Sequence, residues 1–226
     1  MKNQAYHFEI KDIITQFVSA FNNVIVNRYD KSRNVVDKLQ VKYLYSPKER
    51  VLHDLVNKAQ HITLPAVAIS VTNISRDQDR VFNKIVGSYN PTGSTLDGSS
   101  NFSKFIPSPV PINVSVSMSL ITRYQTDMDQ LLSNFIPYSN PYIIISWPVP
   151  DTFADELQEI RTEVLWSGDI SLEYPTEVQP GQPYRVSADT SFTIKGWLFP
   201  AKTQVDGQNI LYIETNFTPV TGFEYI

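Results

Sequence analysis

Apolar and polar positions alternate with period two from Pro111 to Ile121. Ile112, Val114, Val116, Met118 and Leu120 fall on one side, and Asn113, Ser115, Ser117 and Ser119 on the other. This is the signature of a strand with one buried and one polar face. The next segment changes period. Met128, Leu131, Leu132, Phe135 and Ile136 recur at helical spacing, and Pro137 and Pro141 are expected to stop that helix. "YIIISW" then reads as a short buried strand.

The same reading extends in both directions. Ile10, Ile13, Ile14, Phe17, Val18 and Phe21 form an apolar stripe opposite Lys11, Asp12, Thr15, Gln16 and Ser19, which predicts an N-terminal amphipathic helix. "NVIVNRY" and "KLQVKYLY" flank the polar turn "DKSRNV" and predict a hairpin. In "SPKE", Ser46 can cap, Pro47 suits the first helical position and Glu49 completes a capping box. The helix stripe is then Val51, Leu52, Leu55, Val56 and Ala59. "LPAVAISVTNI" predicts a central strand. "RTEVLWSGDISLEY" and "YRVSADTSFTIKGWLFP" predict two long strands joined by a Pro/Gly turn. Residues 87–109, rich in Gly, Ser, Asn and Pro, read as one long flexible loop. The expected fold class is α+β, a mixed and largely antiparallel sheet flanked by a few helices. Residues 1–202 are expected to form a single domain, and 203–226 a C-terminal arm. In that arm Leu211, Ile213 and Thr215 alternate against Tyr212, Glu214 and Asn216.

Composition narrows the chemistry. With 226 residues and 42% apolar content, the chain can bury roughly 70% of its unfolded surface. It has no cysteine, so disulfides, thiolate catalysis and zinc–thiolate sites are out. No apolar run approaches the roughly 20 residues of a membrane span, and the start lacks a signal-peptide h-region. A soluble protein of a reducing compartment, without a membrane partner, is expected. The net charge of −4, without a basic block, argues against tight binding to nucleic acid.

Candidate catalytic groups are sparse. His7, His53 and His61 are too scattered for a ligand set. No P-loop, HExxH, GxSxG or GxGxxG is present. Asp151, Asp155, Glu156, Glu159 and Glu163 cluster in sequence, where a general acid–base pair could sit, but no His or Lys lies nearby, and an exposed acidic connector is the simpler reading. No cofactor and no catalytic residue are expected. The abundant Tyr and Phe, 12 each, and the Ser/Thr-rich strand faces suit an assembly part.

The stretch "PVPINVSVSMSLITRYQTDMDQLLSNFIPYSNPYIIISW" resembles the tail sheath stabiliser and completion family, the tail terminators of T-even-type contractile-tailed phages. There a strand leads to a "TRY…DDM…ILPYF.P" helix. Thr122, Arg123, Tyr124, Asp127, Met128, Ile136, Pro137, Tyr138 and Pro141 occupy that pattern here. "KYLYSPKERVLHDL", "ITLPAVAISVTNI", "GSYNPT" and "SFTIKGWLFP" look like further family segments in the same order, so the resemblance spans about residues 35–200. It implies a homohexameric ring that caps the head-proximal end of the tail. The implied partners are the tail tube, tail sheath and neck proteins, with DNA passing through the lumen without specific binding. Arg123, Tyr124, Asp127 and Tyr138, with Leu211, Ile213 and Thr215 of the arm, are the expected subunit or partner contacts. Another neck or connector ring of the same tail, or an enzyme using residues 151–163, would be the alternatives.

Overall fold

The computed structural model describes residues 6–57, 63–81, 87–92, 102–150, 153, 158–175, 184–200 and 207–208. The chain divides into two compact units, one of residues 6–84 and 109–200, the other of 1–5, 85–108 and 201–226. Residues 85–108 thus group with the C-terminal segment and not with the main domain.

The larger unit is built on a six-stranded sheet. Its strands are β3 (Lys42–Tyr45), β4 (Ala66–Arg76), β7 (Val110–Thr122), β8 (Ile143–Pro148), β9 (Glu159–Glu173) and β10 (Val186–Leu198), in the order β3-β4-β7-β10-β9-β8. Every neighbouring pair is antiparallel except β3–β4. A separate hairpin pairs β1 (Ile25–Tyr29) with β2 (Val35–Gln40). The α+β class and the mixed, largely antiparallel sheet agree with the sequence pattern.

The alternation along β7 gives the sheet two unlike faces. Val114, Val116, Met118 and Leu120 point with Val67, Ile69, Phe192 and Ile194 into the main core. Helices α1 (Glu9–Ala20) and α3 (Gln125–Ser139) close that side. α1 contributes Ile13, Ile14 and Phe17, and α3 contributes Met128, Leu131 and Phe135, as their stripes predict. Phe17 and Phe135 lie 5.3 and 5.7 Å from Phe192, ring centre to ring centre, both edge-on. Such aromatic pairs add about 0.5–1.5 kcal/mol each beyond simple burial. At Gly196 a Cβ would lie 2.9 Å from Ile13 Cδ1, so the absent side chain lets α1 settle onto β10. The Phe199 N–H donates to Glu9 at 3.1 Å, tying the end of β10 to the start of α1.

On the opposite face, helix α2 (Lys48–Asn57) covers one end only. Val51 packs there with Ala68 and Ile121, and Leu44, Leu52, Leu55 and Leu64 close around them. Away from α2 that face carries half-exposed Ser70, Ser115, Ser117 and Thr193.

Several expectations are corrected. "KLQVKYLY" is not one strand: it breaks at Val41. The Val41 N–H donates to Val24 of the hairpin at 3.1 Å, and the next N–H, of Lys42, donates to Pro65 beside β4 at 3.2 Å. Two adjacent donors serve two different sheets. The 87–109 segment is not a single loop, because β5 (Gly87–Thr92) and β6 (Phe102–Pro107) pair antiparallel at its two flanks. Pro91 is compatible with this because β5 is an edge strand in the order β11-β6-β5, where no inward N–H is required of it. The two-residue β11 (Gly207–Gln208) pairs with β6. Pro137 does not stop α3, which runs two residues further. In the last turn a proline forfeits one amide bond to the preceding turn, and its own carbonyl still accepts from Asn140 at 3.4 Å. Ile136, expected inward, is exposed. The Ser46 hydroxyl makes no capping bond; the Pro47 carbonyl accepts from Arg50 and Val51 instead.

Candidate functional site

The best-defined polar constellation lies where hairpin β1–β2 meets the start of α3. Tyr124 precedes the helix in extended conformation, and the Thr122 hydroxyl donates to its carbonyl at 3.0 Å. The guanidinium groups of Arg28 and Arg123 lie 5.1 and 5.6 Å from the Tyr124 ring centre, both within cation–π range. Asp127, in the first turn of the helix, is only 3% exposed, and its Oδ2 is 3.8 Å from Arg28 Nη2. A carboxylate there complements the positive end of the helix. Burial nevertheless pushes its pKa up, and the Arg28 charge offsets only part of that.

Gln130, one turn on, completes the joint. Its side-chain oxygen accepts from the Asn27 N–H at 3.1 Å, and its side-chain nitrogen donates to the Asn27 carbonyl at 2.8 Å. The amide thus mimics a neighbouring strand residue and closes the free edge of β1 at that point. Between these elements lies a depression of about 360 Å³ lined by Asn27, Arg28, Tyr29, Tyr124, Thr126 and Asp127.

Tyr138 sits elsewhere, fourteen residues along α3 from Tyr124, or about 20 Å at roughly 1.5 Å per residue. Its hydroxyl donates to the Ala20 carbonyl at 2.8 Å, and its ring packs edge-on against Phe21. It borders an apolar cleft of about 260 Å³ lined also by Val24, Leu120, Leu131, Phe135 and Tyr43. Burial raises the Tyr43 phenol well above its ordinary range. The sequence-predicted residues therefore separate into Arg123, Tyr124 and Asp127 at one end of α3 and Tyr138 at the other. Leu211, Ile213 and Thr215 lie outside the described residues.

Sequence reading missed Arg28 and Gln130, whose partners lie about a hundred residues away. It also missed a charge cluster on the α2 face. There Lys48 Nζ lies 2.5 Å from Glu173 and 2.6 Å from Asp189. Burial alone would lower the Lys48 pKa, but the two carboxylates outweigh it and the net shift is upward. Hydrogen bonding to Lys48 in turn lowers Glu173.

Of the acidic group, Asp151, Asp155 and Glu156 lie outside the described residues. Glu163 is half-exposed, 3.3 Å from Lys195. Among the described residues no group of three or more His, Asp or Glu is placed to hold a metal ion. No described helix is long and apolar enough to cross a membrane. What the constellations can do is bind and hold. Both ends of α3 fasten it to other elements, and each fastening borders an open depression.

Comparison with known proteins sets these surfaces in context. The chain is similar to the tail completion protein gp15 of Enterobacteria phage T4, 20% identical over 223 residues that cover 94% of this chain and 77% of that protein. The model of the T4-like virus Myoviridae tail sheath stabiliser family matches residues 4–223. The constellations around α3 therefore belong to a structural protein of a phage tail, and the chain is a member of the T4-like virus Myoviridae tail sheath stabiliser family.

Proposed function

We propose that this protein closes the head-proximal end of a contractile tail as a homohexameric ring. One side of the ring engages the last subunits of tube and sheath, and the other offers a face to the neck protein. DNA passes through the lumen without specific binding. The protein then acts at the tail–neck junction of the virion, assembled in the cytoplasm of the bacterial host, and catalyses no reaction.

The observation that carries this reading is the family match over residues 4–223. Physical reasoning supports it. A filament of repeating subunits ends in an unsatisfied head-to-tail interface, and a cap must match that interface on one side without repeating it on the other. The exposed Tyr124, Tyr138, Tyr142 and Ile144 supply amphipathic and apolar contacts of the kind enriched at interfaces. Residues 203–226 serve as an arm to a neighbouring subunit or to the last sheath ring.

Sedimentation and electron microscopy of the full chain, alone and mixed with unfinished tails, test the reading. Six-fold rings at one end of the tail are expected. A chain that stays monomeric and decorates no tail end would overturn it.

A further inference from the structure

Among the described residues the six-stranded sheet ends in two edge strands, and the hairpin adds a third edge. β8 is the last strand on one side, paired only with β9. The Val149 N–H donates to Gln158 at 2.8 Å, just past the β8–β9 ladder. The two-residue alternation of an antiparallel ladder then directs the backbone groups of Ile145 and Trp147 toward β9, and those of Ile144 and Ser146 away from it. The strand "IIISWP" carries no charge, and Ile144 is 60% exposed. Charged side chains, bulges or covering loops normally protect such an edge. Among the described residues β8 has no charge and no bulge; helix α1 packs against it and Pro148 closes its end, while Ile144 stays exposed.

The hairpin carries the other edge, β2. It is paired only with β1, and β1 is itself closed at Asn27 by Gln130. By the same alternation, counted from the Val41-to-Val24 bond, Lys38 and Gln40 turn their backbone groups outward. The Lys38 N–H is held only by the neighbouring Asp37 side chain, at 2.8 Å. Val36, on this strand, is 71% exposed.

The charges of the two regions are complementary. Residues 25–40 carry Arg28, Lys31, Arg33 and Lys38 against Asp30 and Asp37. Residues 143–163 carry Asp151, Asp155, Glu156, Glu159 and Glu163 against Arg161 alone.

We infer that the β2 edge of one copy docks on the β8 edge of the next, extending the six-stranded sheet across the joint between subunits. The inference rests on the ring reading above and assigns its subunit contact. Each copy has one edge of each kind, so the joint is heterologous and repeats until it closes. Main-chain hydrogen bonds supply the attachment, Val36 and Ile144 cover one another, and the basic hairpin meets the acidic β8–β9 region.

The absence of native cysteine makes the test clean. Val36→Cys or Lys38→Cys is combined in one chain with Ile144→Cys or Ser146→Cys, which covers both registers of pairing. The variants are oxidised as free oligomer or on the tail ends they decorate. At least one combination is expected to give a ladder of disulfide-linked chains up to the full ring, while each single variant gives none. Ile144→Pro removes an outward N–H and leaves the β8–β9 bonds intact. It should keep the melting temperature of the monomer and lower the assembled fraction at least tenfold.

Rings that form normally while no combination cross-links would overturn the inference and leave the ring reading standing. Cross-linking to the sheath protein in place of a second copy would also overturn it. An unmodified chain that forms no ring in solution or on tails would reject both.

Discussion

The two faces of the central sheet use the same strands for different ends. On the α1/α3 face, Phe17, Phe21, Phe135 and Phe192 form a continuous aromatic cluster between the two helices and β10. On the α2 face, the buried apolar set shrinks to Val51, Ala68 and Ile121 with a partly buried rim. Ion pairs then take over, from Lys48 to Glu173 and Asp189 on one side and from Arg80 to Asp77 on the other. Apolar burial is worth roughly 25 cal/mol per Å², whereas exposed ion pairs contribute about 0–1 kcal/mol. The stability of the larger unit is therefore concentrated on one face, and the other is left free to carry surface chemistry.

This asymmetry can be tested, beginning with the largest effect. Phe17→Ala empties a fully buried site against the rings of Phe21 and Phe192 and should cost about 3–5 kcal/mol in chemical denaturation. A loss below about 1 kcal/mol would mean that the aromatic cluster is not the main store of stability. Val51→Ala removes two methyl groups from the smaller cluster and should cost about 2 kcal/mol. A loss equal to that of Phe17→Ala would erase the distinction between the faces.

The smallest effect belongs to Lys48→Met, about 1 kcal/mol or less at neutral pH because Glu173 is largely exposed. Its pH dependence carries the information. Glu173 is lowered in the folded protein, so its contribution is present above its unfolded value of about 4.5 and fades as pH falls through the lower folded value. Lys48 is raised, so its contribution holds below about 10.5 and fades as pH climbs through the higher folded value. Wild type and variant should therefore converge in stability at both extremes. A gap that stays constant from acid to alkali would show that the methionine acts through packing alone.

Much of this fold was legible in local pattern. Period two along β7 named its buried residues, and the 3.6-residue stripe of α1 did the same for Ile13, Ile14 and Phe17. Both patterns report a single buried face, which sequence records directly. The break at Val41 was not legible, because Leu39, Val41 and Tyr43 continue one alternation while their backbones serve two sheets. Periodicity tells which side is buried, not which strand lies alongside. The β5–β6 pairing was hidden for a similar reason: its Gly, Ser and Pro residues carry turn signals and lack apolar alternation. Around α3 the sequence pointed to Arg123, Tyr124, Asp127 and Tyr138, and two ends of one helix emerged. Arg28 and Gln130, which fasten one end, gave no sign, since a single Arg in a strand and a single Gln on a helix have many ordinary uses.

The junction at Val41 also has a mechanical meaning. Chain from the hairpin enters the six-stranded sheet through a single residue and continues as β3, whose four residues run parallel to β4. A load applied at β2 travels along the axis of β3 and reaches the rungs of that ladder together, in shear. A hairpin attached across the strands would instead be peeled open rung by rung. Such a connection spreads a pull on the hairpin over the whole β3–β4 edge of the sheet.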